Sequence, residues 1–240
     1  MWFIYNYIRK EGIKMSVCVF GDSVAKGVVY DEVKKKYRFL KDSFVNLFSK
    51  EEKIEVKNYA KFGCTVIKGE EILNKNLDKL KEYEYVILEF GGNDCNYNWE
   101  EVSNDPQGEH SPQVPVDTFK EKYREIIHIV KEQGCKPILL SLPPLSADRF
   151  FDWVSQGLSK ENIMKFLGNK EYIYRWHEMY NSTIFDLAQE EKVEILDIRK
   201  VFLPYRNYED FLCIDGMHPN EKGHKLINQA LLDYKLIPVL

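Results

Sequence analysis

Two periodicities alternate along the chain. Short apolar runs at Ser16–Phe20, Ile54–Lys57, Tyr85–Phe90, Pro137–Ser141 and Val193–Leu196 are too brief for helices and read as five strands. The most apolar of them, Tyr85–Phe90, is assigned to the middle of the sheet. Between them the apolar positions recur every three or four residues, as on one face of a helix. This spacing predicts helices at Tyr30–Ser49, Lys68–Lys81, Val116–Gln133, Tyr172–Glu191 and Asn220–Tyr234. The first rests on Phe39, Leu40, Phe44, Leu47 and Phe48, and places Lys34, Lys35 and Lys36 on its solvated face. The third carries Phe119, Tyr123, Ile126, Ile127 and Val130 on one side and ends at Gly134, a residue suited to a helix C-cap.

Strand and helix in strict alternation imply parallel pairing with helices on both faces. The expected fold is therefore a three-layer α/β/α, flavodoxin-like domain with a five-stranded parallel sheet. Residues 15–240 form one domain in this reading, and residues 1–14 form an accessory arm or extension. Two segments, Asp94–Pro115 and Ser146–Lys170, exceed plain connections. Both follow strand ends and hold aromatics (Trp99, Phe150, Phe151, Trp153, Phe166) suited to clasping an acyl chain, stacking on a sugar or packing at the domain edge.

Composition narrows the function. A chain of 240 residues, 44% hydrophobic, buries a large core without disulfides or metals. Its formal charge of −4 is dispersed, with no basic stripe or tail, which argues against a nucleic-acid partner. No run is long enough to span a bilayer, and residues 1–14 lack the positive leader and cleavage site of a signal peptide. The cysteines Cys18, Cys64, Cys95, Cys135 and Cys213 are odd in number and contain no Cys-x-x-Cys pair, so no zinc site or disulfide framework is indicated. A reducing, cytoplasmic compartment follows from that usage. No cofactor is implied, and oligomeric state is not encoded legibly.

The chemistry concentrates at loop positions after strands. Gly21-Asp22-Ser23 follows the first strand, where a serine hydroxyl and its own N–H point at one spot. A serine nucleophile needs a base, and an imidazole held in one tautomer by a carboxylate supplies it. Asp215 and His218, three residues apart before the last helix, fit that role. His128, His177 and His224 fall inside helices and read as structural, while His110 lies in the first long insert. Asp22 reads as a helix cap and Asp94 as a turn former. Cys64 and Cys95 read as small packing residues. A phosphate-binding loop is a poor match, because the order here is Lys26-Gly27-Val28 rather than Gly-Lys-Ser/Thr.

Four blocks occur in order: Gly21-Asp22-Ser23, Asn58 to Gly63, Gly91-Gly92-Asn93-Asp94 and Asp215-Gly216-Met217-His218. In this the chain resembles the SGNH hydrolases, the GDSL esterase/lipase family, with Val24 where the family often carries Leu. The resemblance implies catalysis by Ser23, Asp215 and His218 and an oxyanion hole from the Ser23 N–H, the Gly63 N–H and the Asn93 side-chain amide. It further implies a small-molecule ester as substrate. The first substrate expectation is a short acyl (acetyl) ester, on carbohydrate in one version. Longer acyl chains, as lysophospholipids or thioesters, and a non-catalytic binding module of the same fold are the alternatives.

Overall fold

The computed structural model describes residues 16–234, so the expected arm at residues 1–14 lies outside the described residues. The sheet is built from β1 (Val17–Gly21), β4 (Val56–Asn58), β5 (Tyr85–Glu89), β6 (Lys136–Leu140) and β7 (Glu194–Leu196). Every pairing is parallel, in the order β4-β1-β5-β6-β7, with Val19 opposite both Asn58 and Ile87. The five-stranded parallel sheet expected from the sequence is present, and Tyr85–Glu89 occupies its centre.

Side chains alternate across each strand, which splits the core in two. Cys18, Phe20, Val86 and Leu88 face one layer, packed by α3 (Val66–Asn74), α6 (Val116–Glu132) and α9 (Glu171–Glu191). Val17, Val19, Tyr85 and Ile87 face the other, packed by α2 (Phe44–Glu52) and α10 (Glu221–Tyr234). The predicted stripe of α6 is buried throughout, and Gly134 follows its end at φ +80°. Among the described residues, no helix is long and apolar enough to cross a membrane.

One element differs from expectation. The segment read as a helix from Tyr30 begins instead as an antiparallel hairpin, β2 (Val28–Asp31) with β3 (Lys36–Phe39). Helix α2 starts only at Phe44, capped by the Ser43 hydroxyl, which accepts from the Asn46 N–H. Val28, Tyr30, Tyr37 and Phe39 pair across the hairpin, and this β-prone alternation prevails over the helical spacing. Phe39 is 65% exposed, so it never belonged to a buried stripe. Lys34 and Lys35 sit in the hairpin's turn, with Lys35 at φ +49°, and Lys36 opens β3. The stretch read as one helix over Lys68–Lys81 is two, α3 and a short α4 (Leu77–Leu80). The break falls where the Asn76 amide donates back to the Ile72 carbonyl.

The two long excursions are helical. The first holds α5 (Trp99–Asn104), the second α7 (Ala147–Val154) and α8 (Lys160–Leu167). Trp99, Phe150, Phe151, Ile163 and Leu167 pack into a third apolar cluster apart from the sheet cores.

Candidate active site

The strand order reverses between β1 and β5, so the loops leaving their carboxyl ends diverge and open a crevice. Ser23 leaves β1 there as the first residue of a four-residue helical turn, α1 (Ser23–Lys26). Asp22 caps it, as expected, by accepting from the Val24 N–H at 2.8 Å. Being in the first turn, the Ser23 N–H has no intrahelical acceptor and remains a donor. The Asn93 loop leaves β5 next to it. The Asp215–His218 loop arrives from beyond β7, carried on a bridge between Leu212 and Pro219 and on Cys213 N–H donating to the His218 carbonyl at 2.8 Å. Its turn requires Gly216: φ is +74°, and a Cβ there would lie 2.7 Å from the Phe150 nitrogen.

These loops bring together residues nearly two hundred positions apart. The Ser23 hydroxyl lies 2.9 Å from His218 Nε2, and His218 Nδ1 lies 2.7 Å from Asp215 Oδ2. Asp215 Oδ1 accepts from the Met217 and His218 N–H groups at 3.0 and 3.1 Å. Ser23 is 6% exposed, His218 3% and Asp215 not at all. Burial pushes the Asp215 carboxyl up, yet the hydrogen bond and charge of His218 and the two amides outweigh it and hold the group below its usual range. Asp215 therefore stays ionised and keeps the imidazole proton on Nδ1, leaving Nε2 to accept from the serine.

Asn93 Nδ2 donates to Asp22 Oδ2 at 3.0 Å and, more weakly, to the Cys64 carbonyl at 3.3 Å. Gly63, the residue before Cys64, sits at φ +70°, a conformation that favours glycine. Asn93 shares a cleft of about 160 Å³ with Ser23 and His218, and Phe62, beside Gly63, also lines it. Beyond the polar end the cleft walls are apolar: Leu142, Leu145, Phe150, Leu167, Ile173 and Trp176. The excursions thus supply an outer wall as well as packing among themselves.

His128, His177 and His224 lie on helices and make structural contacts. The His128 ring bonds Glu191 on the surface, and His224 is buried with Nδ1 accepting from the Phe44 N–H. His177 is buried beside Arg199 and its pKa is pushed down to about 3, by burial first and the guanidinium second. His110 meets the Asp105 carbonyl within the first insert and the Phe166 ring of α8 in the second. Cys64 and Cys95 are buried, and burial raises both thiols, Cys64 to about 12. Among the described residues no group of three or more His, Cys, Asp or Glu is arranged to hold a metal ion.

Sequence reasoning missed Tyr37. From the hairpin its hydroxyl donates to Asp215 Oδ2 at 3.1 Å, and its ring lies edge-on to the imidazole with centroids 5.2 Å apart. The alternation of Val28, Tyr30, Tyr37 and Phe39 about a lysine-rich turn was the available signal.

Asp94 is buried, with Oδ1 accepting from the Val66 N–H at 2.8 Å and Oδ2 without a hydrogen-bond partner among the described residues. It thereby ties its turn to the start of α3. Burial raises its pKa to about 7. Between the ordinary carboxylate range and about 7 the folded protein keeps a proton the unfolded chain has released, so stability falls as pH rises through that window. For one group the slope is at most about 1.4 kcal/mol per pH unit. Asp94→Asn, which retains the acceptor for Val66, is expected to raise the urea midpoint substantially more at pH 8 than at pH 5. An equal shift at both pH values would contradict this origin.

A family model described as GDSL-like lipase/acylhydrolase matches residues 19–226. Among solved structures, a lipase/acylhydrolase from Enterococcus faecalis is similar at a TM-score of 0.63 and 19% identity, over 92% of this chain and 94% of that one. TesA matches at a TM-score of 0.60 and 17% identity, over 94% of this chain and 100% of that one. The psychrotrophic esterase EstA from Pseudoalteromonas sp. matches at 0.58 and 16%, over 91% and 94%. No curated protein matches the sequence.

Proposed function

Since the chain belongs to the GDSL-like lipase/acylhydrolase family and is an ester-hydrolysing enzyme, we propose that it works through an acyl-enzyme formed on Ser23. In this reading His218 Nε2 takes the hydroxyl proton as Ser23 Oγ attacks the ester carbonyl. Asp215 holds the imidazole and stabilises the imidazolium that forms. The oxyanion is met by the Ser23 N–H, the Gly63 N–H and the Asn93 amide. His218 then gives its proton to the leaving alcohol, and water, deprotonated by the same imidazole, releases the acid. The observation that carries this reading is the buried relay from Ser23 to His218 to Asp215, with contacts of 2.9 and 2.7 Å.

The apolar wall from Leu142 to Trp176 favours an acyl chain longer than acetyl, the second of the substrate classes open from the sequence. Each methylene buried there contributes about 0.8 kcal/mol. Across p-nitrophenyl esters from acetyl upward, kcat/KM is expected to rise by about fourfold per methylene until the cleft is filled, then level off. A maximum at acetyl with a steady fall thereafter would return the assignment to short acyl esters. The five buried, unpaired thiols fit a reducing, cytoplasmic setting.

A further inference from the structure

Beneath the Ser23 turn lies an acid that this mechanism does not use. Glu89 ends the central strand and is fully buried. Its Oε2 accepts from the Ala25 N–H at 3.1 Å and from the Asp22 N–H at 3.4 Å, while Oε1 has no hydrogen-bond partner among the described residues. The side chain nevertheless borders the cleft together with Asp22 and Asn93.

The Asp22 carboxyl, 1% exposed, is buried beside the Glu89 carboxyl, whose Oε2 accepts from the Asp22 N–H. The titratable groups that face the pair are Cys64, Asp94, Cys95, Tyr123 and the His218 imidazole; among the described residues no Lys or Arg joins them. Two buried carboxyls in contact cannot both ionise without a cation beside them. If both did, each would offer only acceptors, and Oε1 would stay unpaired. One proton on Glu89 resolves both problems, because it gives that acid a donor and Asp22 a partner.

We propose that Glu89 is a positioning residue: as a neutral acid it donates to Asp22, and Asp22, so held, aims the Asn93 amide at the oxyanion. Burial first and Asp22 second hold Glu89 well above the usual carboxylate range, in the same sense. Asp22 already takes one Nδ2 hydrogen of Asn93 at 3.0 Å. The other faces the Cys64 carbonyl at the longer distance of 3.3 Å, and it is this hydrogen that turns to the substrate oxygen. The inference rests on the ester-hydrolase reading above.

Glu89→Gln and Glu89→Leu separate the possibilities. Gln keeps an oxygen for the Ala25 N–H and supplies an N–H for Asp22. It is expected to hold kcat within about threefold of wild type and to leave the pH profile of kcat superimposable. Leu removes the donor, and kcat is expected to fall by about 10- to 100-fold with KM little changed. In an Asn93→Ala background the Leu loss should shrink, because the two residues act through one group. A Gln variant as impaired as the Leu variant would overturn the inference, since the role would then need the negative charge. So would Leu and Asn93→Ala losses that simply multiply. If the Leu variant does not fold, the Gln variant and its pH profile decide alone. A wild-type enzyme inert toward every ester would instead count against the underlying reading.

Discussion

Ser23→Ala is expected to lower kcat on p-nitrophenyl esters by a factor on the order of 10^6, to the background of the assay, with the thermal unfolding midpoint little changed. The size follows from the geometry. The hydroxyl is the only part of Ser23 that meets His218 Nε2, and without it no covalent path exists. The folded state has small reason to notice. The Ser23 N–H, the Asp22 cap and the α1 turn are all main-chain features or belong to a neighbour. Activity retained in a folded Ser23→Ala variant would remove the acyl-enzyme from the account.

Asp215→Asn is expected to cost about 10^4-fold in kcat while substrate binding is largely kept. Asp215 offers one oxygen to the His218 Nδ1 and the Tyr37 hydroxyl, and the other to two main-chain N–H groups. An asparagine cannot serve both sides. With its oxygen toward Met217 and His218, its amide group faces the imidazole and forces the proton to Nε2. The ring then points a donor at Ser23 and cannot accept its proton. With the amide reversed, two main-chain donors face a donor in a buried site, which is costly. Measuring kcat and KM separately on the variant distinguishes this tautomer trap from a loss of fold. An asparagine variant within tenfold of wild type would show that Asp215 is not the group orienting the base.

Much of this site was legible because its residues stand where strands end. Val17–Gly21 and Tyr85–Glu89 are apolar runs broken by glycine, so the positions of Ser23 and Asn93 relative to the sheet followed from periodicity alone. The Asp215–His218 spacing also survived, since both residues lie on one short turn and their pairing is local. The hairpin was not legible, and its residues read as the start of a helix from Tyr30. Its second strand and the following helix share large apolar residues whose spacing imitates one long helix, and the cross-strand pairing of Val28 with Phe39 and Tyr30 with Tyr37 tells them apart. Tyr37 was lost with it, because the local alternation places it on a strand but its contact with Asp215 spans 178 positions. Glu89 was hidden differently. A single acid closing an apolar strand is unremarkable in sequence, and its meaning lies in the burial of Asp22 beside it. The long excursions showed their aromatics but not their destination, since whether Phe150 faces a cleft or a neighbour depends on how α7 settles.

The most direct test of the central claim is active-site labelling with a fluorophosphonate, read by intact mass and peptide mapping. One adduct per chain is expected, on Ser23, absent from Ser23→Ala and formed at least a hundredfold more slowly in His218→Ala (about 3 kcal/mol of activation from the base). A folded protein that takes no label, or takes it equally well after either substitution, would contradict the assignment.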